Sequence, residues 1–217
     1  MVKKKETAKV DSGISKIVIP EPNYELLEVT VRGLEGSSLV VNRFSEKTKE
    51  QLKERDQNKK KVHEKRDPHQ EVLDALYTIP GEKKSYGIPA SGFKKAMVQV
   101  AKDLPGKEIN GALIQRQIFV FADVGRLVRI KSKSGWEMRE DMVRINGKTP
   151  MIRYRPEFED WEAKLRIRFD ADVFDAQSVL NLLSRAGFGI GWGEMRPEKG
   201  YECGMYEITG DVKSRAA

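Results

Sequence analysis

One ten-residue stretch constrains the fold more than any other: Trp161-Glu162-Ala163-Lys164-Leu165-Arg166-Ile167-Arg168-Phe169-Asp170. Apolar and charged residues alternate along it without a break. Successive side chains of a strand point to opposite faces. The segment is therefore a half-buried strand, with Trp161, Ala163, Leu165, Ile167 and Phe169 toward a core and a mostly basic face toward solvent. Such a strand belongs in a sheet covered on one side only, which antiparallel sheets tolerate. The cover follows at once. Asp172 or Asp175 caps a helix whose apolar positions, Ala176, Val179, Leu180, Leu183 and Ala186, recur at helical spacing.

Beyond that helix glycine falls at every second position, Gly187-Phe188-Gly189-Ile190-Gly191-Trp192-Gly193. Gly187 sits where a helix C′ glycine belongs. The rest reads as a strand with one face of bare backbone. Two uses of that face stand: tight packing against another element, or close approach of a ligand's backbone at Gly189, Gly191 and Gly193. A dinucleotide fingerprint needs strand, glycine turn, then helix. Here the helix comes first, and no P-loop motif exists, so no nucleotide cofactor is expected.

Elsewhere the pattern is that of an α+β domain. Leu26 to Arg32 reads as a strand, and Leu39 to Val41 as a short extended piece. Glu71 to Tyr77 is a short helical or extended piece. Ser91 is placed to cap a helix from Gly92 to about Lys102, with a stripe of Phe93, Ala96, Met97, Val100 and Ala101. Gln117 to Phe121 and Leu127 to Lys131 read as strands, turned into a hairpin at Asp123-Val124-Gly125. Met142 to Ile145 and Met151 to Arg155 flank Asn146-Gly147, a strong hairpin signal. Gly204 to Thr209 is the last strand. Residues 1–17 form a mobile basic arm, 18–210 a single domain with insertions at 45–70 and 132–156, and 211–217 a polar tail.

Lys and Arg number 40 against 33 Asp and Glu, a net charge of +7. That balance favours a polyanionic partner. The candidate contacts are Lys164, Arg166 and Arg168 on the alternating strand, Arg153 and Arg155 alternating with Ile152 and Tyr154, Lys59, Lys60 and Lys61 in the polar insertion, and Arg196. Three neighbouring cations on one face repel each other unless anions arrive; acidic neighbours in the sheet are the other source of balance. Trp136, in a polar loop, ranks before Tyr154 and Trp192 as a ring that stacks on bases.

The single cysteine, Cys203, rules out an internal disulfide and a cysteine zinc motif. No apolar run reaches the ~20 residues of a membrane span, and the lysine-rich start lacks the apolar run of a signal peptide. A cytoplasmic protein without metal or cofactor is the expectation. His63 and His69, the only histidines, both lie in the polar insertion.

Strand Trp161–Asp170, the helix to Ala186, the glycine segment and a closing strand Gly204–Thr209 together resemble the C-terminal half of the RAMP superfamily. These are ferredoxin-like (RRM-like) RNA-binding subunits of CRISPR effector complexes. Tyr86-Gly87-Ile88-Pro89-Ala90-Ser91-Gly92-Phe93-Lys94-Lys95-Ala96 is similar to that family's segment of isoleucine-proline, small residues and basic helix. The resemblance implies an antiparallel sheet with about two helices on one face. It also implies non-catalytic binding of single-stranded nucleic acid, RNA over DNA, with copies side by side as a homo-oligomer or filament along the strand. A stand-alone or phage-borne relative fits as well as an effector subunit. Two other readings stay open: a small metal-independent ribonuclease using His63 or His69, and a phage inhibitor that occupies a host protein complex.

Overall fold

The computed structural model describes residues 19–43, 66–104, 109–145 and 149–216. The arm at 1–17, most of the 45–70 insertion with Lys59, Lys60, Lys61 and His63, and the hairpin tip at Asn146-Gly147 lie outside the described residues. Among those described, nine strands form two antiparallel sheets and four α-helices accompany them.

The larger sheet is built around the alternating segment, β8 (Glu162–Asp170). Beside it runs β1 (Tyr24–Gly33), antiparallel from Tyr24↔Asp170 to Arg32↔Glu162. The far side of β1 takes β9 (Tyr206–Ala216). On its other side β8 is shared. Its Arg166–Phe169 end pairs with β4 (Ile118–Phe121), and its Glu162–Ala163 end with β5 (Leu127–Lys131), which pairs in turn with β3 (Tyr86–Pro89). β4 and β5 are thus not the two arms of one hairpin ladder, as the turn residues between them predict. The turn does close, Asp123 N–H donating to Leu127 O at 2.8 Å. Beyond it each strand takes its partners from a different half of β8.

Alternation divides the sheet as expected. Leu27, Val29 and Val31 of β1 and Ala163, Leu165, Ile167 and Phe169 of β8 are buried in one core. Two helices cover that face. α2 (Ala90–Val100) brings Phe93, Ala96, Met97 and Val100, and α4 (Ala176–Arg185) brings Val179, Leu182 and Leu183. Asp175 caps α4, accepting from Ser178 N–H at 2.8 Å. Ser91 does not cap α2. The helix starts two residues earlier, at Ala90 after Pro89, and the Ala90 N–H donates to Arg126 O at 3.0 Å. Two short helices were not expected as such: α1 (Pro68–Ala75), capped by Asp67, and α3 (Gly111–Gln117), capped by Asn110.

Most of the 132–156 insertion is a hairpin of β6 (Glu137–Ile145) and β7 (Thr149–Phe158), rooted on β2 (Leu39–Val40) as a second, three-stranded sheet. Residues 211–216, expected as a tail, continue β9: pairing with β1 shifts register between Glu28 and Thr30 and then resumes.

The glycine segment corrects the sequence reading most. Ala186–Ile190 is not a strand but a π-helical turn that prolongs α4. Phe188 is 69% exposed while Ile190 and Trp192 are nearly buried, so the three do not share a face. The cause is a close approach. A Cβ on Gly187 would stand 2.1 Å from the Tyr206 carbonyl oxygen, so the helix presses its bare backbone onto β9 and runs on instead of capping. The chain turns only at Gly191, with φ +71°. It is then tied down by Trp192 N–H to Gly204 O and Glu194 N–H to Val40 O, both 2.8 Å.

Gly187 and Gly189 therefore separate packing from pattern, since nothing lies within 4 Å of a Cβ at Gly189. Gly187→Ala is expected to cost about 1–3 kcal/mol through overpacking, lowering Tm by about 2–4 °C per kcal/mol in a chain of this size. Gly189→Ala is expected to leave Tm unchanged or slightly raised. Thermal unfolding followed by circular dichroism checks both.

Candidate functional site

The segment from Tyr86 to Ala96 and the glycine segment lie far apart in sequence and meet in space. Gly92 makes the junction: a Cβ there would stand 2.0 Å from Trp192 Nε1, so the indole lies against bare helix backbone. The Phe93 and Trp192 rings follow at 6.3 Å between centroids. At 8% exposure Trp192 belongs to the core and is not free to stack on a base.

Over this junction opens a groove of about 680 Å³, with Ser91, Lys94 and Lys95 on the α2 wall and Gly191, Gly193 and Arg196 on the other. The α2 N-terminus has no side-chain cap on its first N–H groups. Partial burial lowers the pKa of Lys94. Arg196 donates to Gly193 O at 2.9 Å and to Glu198 Oε2 at 2.6 and 3.0 Å. Glu194 also lines the groove. Gly191 and Gly193 serve the packing of the loop: a Cβ on Gly193 would stand 2.5 Å from Val40 O, at φ +97°. Only Gly189, of the three glycines singled out in the sequence, presents open backbone.

The second place where predicted residues gather is the open face of the larger sheet. Acidic neighbours supply the balance for two of the three β8 cations. Lys164 Nζ lies 2.8 Å from Glu28, whose carboxyl is held below its usual range first by that hydrogen bond. Arg166 Nη2 donates to Ala122 O at 3.0 Å and stands 3.8 Å from Asp123. Arg168 makes no ion pair among the described residues. Its guanidinium carbon instead lies 5.0 Å from the Tyr24 ring centroid, 5.3 Å from Phe121 and 6.0 Å from Phe119.

Those three rings are 42%, 37% and 45% exposed, respectively. Sequence reasoning ranked other aromatics first. Trp136 is half-buried and its indole N–H donates to Tyr86 Oη at 2.8 Å, which pins it. The Tyr154 ring lies under Arg66 at 5.5 Å. The signal lies in Ile118-Phe119-Val120-Phe121: a strand apolar on both faces, set in a sheet covered on one side, shows one of them.

On the hairpin, Arg153 and Arg155 part company. Arg153, farther from the root, is exposed. Arg155 is 4% exposed and its guanidinium lies 3.7 Å from Asp141. Arg139 joins the cluster at 2.9 Å from Asp141 and 2.7 Å from Glu157, bonds that raise its pKa further above the ordinary arginine value. His69 is exposed on α1, its ring 6.5 Å from that of Trp136. Among the described residues no group of three or more His, Cys, Asp or Glu is placed to hold a metal, and no helix is long and apolar enough to cross a membrane.

Asp141 is the carboxylate beside a guanidinium with almost no access to water. Asp141→Ala is expected to cost about 3–5 kcal/mol, because it leaves the Arg155 charge buried and unpaired. Urea unfolding measures the loss, and Arg153→Ala, at an exposed position, serves as the near-neutral control.

Among solved structures, the chain is similar to a chain of the type III-B Cmr-beta complex, determined by cryo-EM bound to cognate target RNA. The TM-score is 0.54 at 10% sequence identity, over 89% of this chain and 61% of that one. The likeness is one of fold, and this chain spans about three fifths of that chain's length. No family model matches the sequence, and no curated protein matches it.

Proposed function

We propose that this protein binds single-stranded RNA, without cleaving it, in the groove between α2 and the glycine segment. One observation carries the reading. The two segments in which the sequence resembles the RAMP superfamily, far apart along the chain, form the two walls of one groove.

The chemistry of that groove suits a sugar-phosphate backbone. Lys94, Lys95 and Arg196 supply charges of the kind that dominate phosphate contacts. Past the Ala90 N–H, which Arg126 O takes, the first turn of α2 offers N–H groups without a side-chain cap at the positive end of a helix dipole. Gly189, next in sequence to Ile190 of the wall, presents open backbone. Glu198 holds Arg196 in a partly exposed pair, which contributes little and which a phosphate can displace.

The fold reading is part of the same proposal. The strand order β4/β5–β8–β1–β9, with α2 between β1 and β4 in sequence and α4 between β8 and β9, supports a ferredoxin-like core. The β6–β7 hairpin, and the stretch from β2 to β3, are then insertions. RNA is favoured over DNA by the resemblance, and the structural neighbour belongs to an RNA-bound complex. The resemblance also implies copies side by side along the strand, which size-exclusion chromatography with a long oligoribonucleotide checks.

Fluorescence anisotropy with a labelled oligoribonucleotide of about 20 nucleotides tests the groove. Lys94→Ala, Lys95→Ala and Arg196→Ala combined are expected to weaken binding at least tenfold. They should also flatten the slope of log affinity against log salt by about 2, near 0.7 per lost phosphate contact. No binding by the wild type, or wild-type binding by a folded triple variant, would overturn the proposal.

A further inference from the structure

We infer a second nucleic-acid station: an aromatic platform on the open face of the larger sheet, Tyr24, Phe119 and Phe121 around Arg168, on which unpaired bases of a single strand stack. The inference rests on the RNA-binding reading of the groove and extends its footprint.

Three observations converge on it. The first is exposure. The rings on the core side are nearly inaccessible, Phe93 and Phe169 at no more than 1%, whereas the platform rings are 37–45% exposed on a face that also carries Lys164, Arg166, Lys213 and Arg215. The second is the state of Arg168. Its neighbours on β8 have acids, while among the described residues its own charge meets ring faces alone and its buried Nε has no hydrogen-bond partner. A guanidinium flanked by ring faces, with no acid among the described residues, can take a phosphate or a base edge while bases stack alongside.

The third is register and continuity. Paired neighbours across four strands place Phe119, Arg168, Leu26 and Arg215 in one row, which holds no acid. The next row is Phe121, Arg166, Glu28 and Lys213, with a single carboxylate. Rings interleaved with cations match the needs of a single strand, whose bases stack and whose phosphates are negative. The platform also meets the groove. Lys94 of the groove wall has its ammonium 3.9 Å from the Phe119 ring centroid, at the edge strand β4. A strand leaving the groove over Lys94 arrives on Phe119.

The test uses the full chain and about 20 nucleotides of RNA carrying 4-thiouridine. Photo-crosslinking and mass spectrometry are expected to mark Tyr24, Phe119 or Phe121 as well as the groove. Phe119→Ala with Phe121→Ala should weaken binding about fivefold or more for each ring removed, with the salt slope unchanged because no phosphate contact is lost. Phe119→Tyr with Phe121→Tyr keeps the rings and should restore affinity; circular dichroism confirms that each variant folds.

Wild-type affinity in the double alanine variant, with crosslinks confined to α2 and residues 189–196, overturns the platform and leaves the groove standing. Loss in that variant but not in the groove triple variant supports the platform and overturns the groove. Failure of the wild type to bind RNA overturns both. A dimer seen by light scattering without RNA, and abolished by the alanine pair, makes the face a self-association surface and overturns the inference.

Discussion

The antiparallel register between β1 and β8, nine residue pairs from Tyr24↔Asp170 to Arg32↔Glu162, fixes which side chains meet water and which do not. Side-chain direction in a strand has a period of two. A slip of one residue would bring Arg166 and Arg168 under α2 and α4 and put Leu165 and Ile167 in solvent. Burying unpaired guanidinium groups costs far more than any gain in ladder geometry. The register is therefore held by the core, and the open face inherits its order from it. The row of Phe119, Arg168, Leu26 and Arg215 exists because Leu27, Ile167 and Ile118 must face the other way.

The groove depends on a different kind of contact, backbone against backbone and backbone against ring. Gly92 receives the Trp192 indole, Gly187 receives the Tyr206 carbonyl, and Gly193 receives the Val40 carbonyl. Each needs the absence of a Cβ. Together they fasten the segment after α4 to α2, β9 and β2, so that one wall of the groove is held by several elements of the core. Glycine here is a packing residue first. The basic side chains that give the groove its character stand on the rigid helix and the tethered loop.

How far the sequence anticipates this follows from the range of the forces involved. Alternation along residues 161–170 and the stripe of α4 report local periodicity, and both elements appear where the pattern puts them. The glycine segment has the same period of two, yet it continues a helix. Spacing does not reveal that Gly187 faces a carbonyl of β9. Arg155 and Arg153 are equivalent in the pattern, and the ladder sets Asp141 directly opposite Arg153; it is Arg155, nearer the hairpin root, that is buried and reaches Asp141 from the next row. Phe119 and Phe121 lie in a strand apolar at every position, where periodicity is silent about which face is buried. Trp136 has polar neighbours in sequence, but Tyr86 reaches it from fifty residues away.

Cations on this protein are best ranked by what they would give up on meeting a phosphate. Arg155 would leave a buried ion pair, so it is structural. Lys164 and Arg166 would exchange exposed or half-exposed carboxylates, and pairs of that kind contribute about 0–1 kcal/mol; an incoming phosphate competes on nearly even terms. Arg168 has no carboxylate to surrender among the described residues and already holds ring faces against which a base can slide. Counting lysines and arginines would rank the polar insertion highest, whereas the proposed RNA-binding reading puts the weight on Arg168, Lys94 and Lys95, which stand beside ring faces or line the groove.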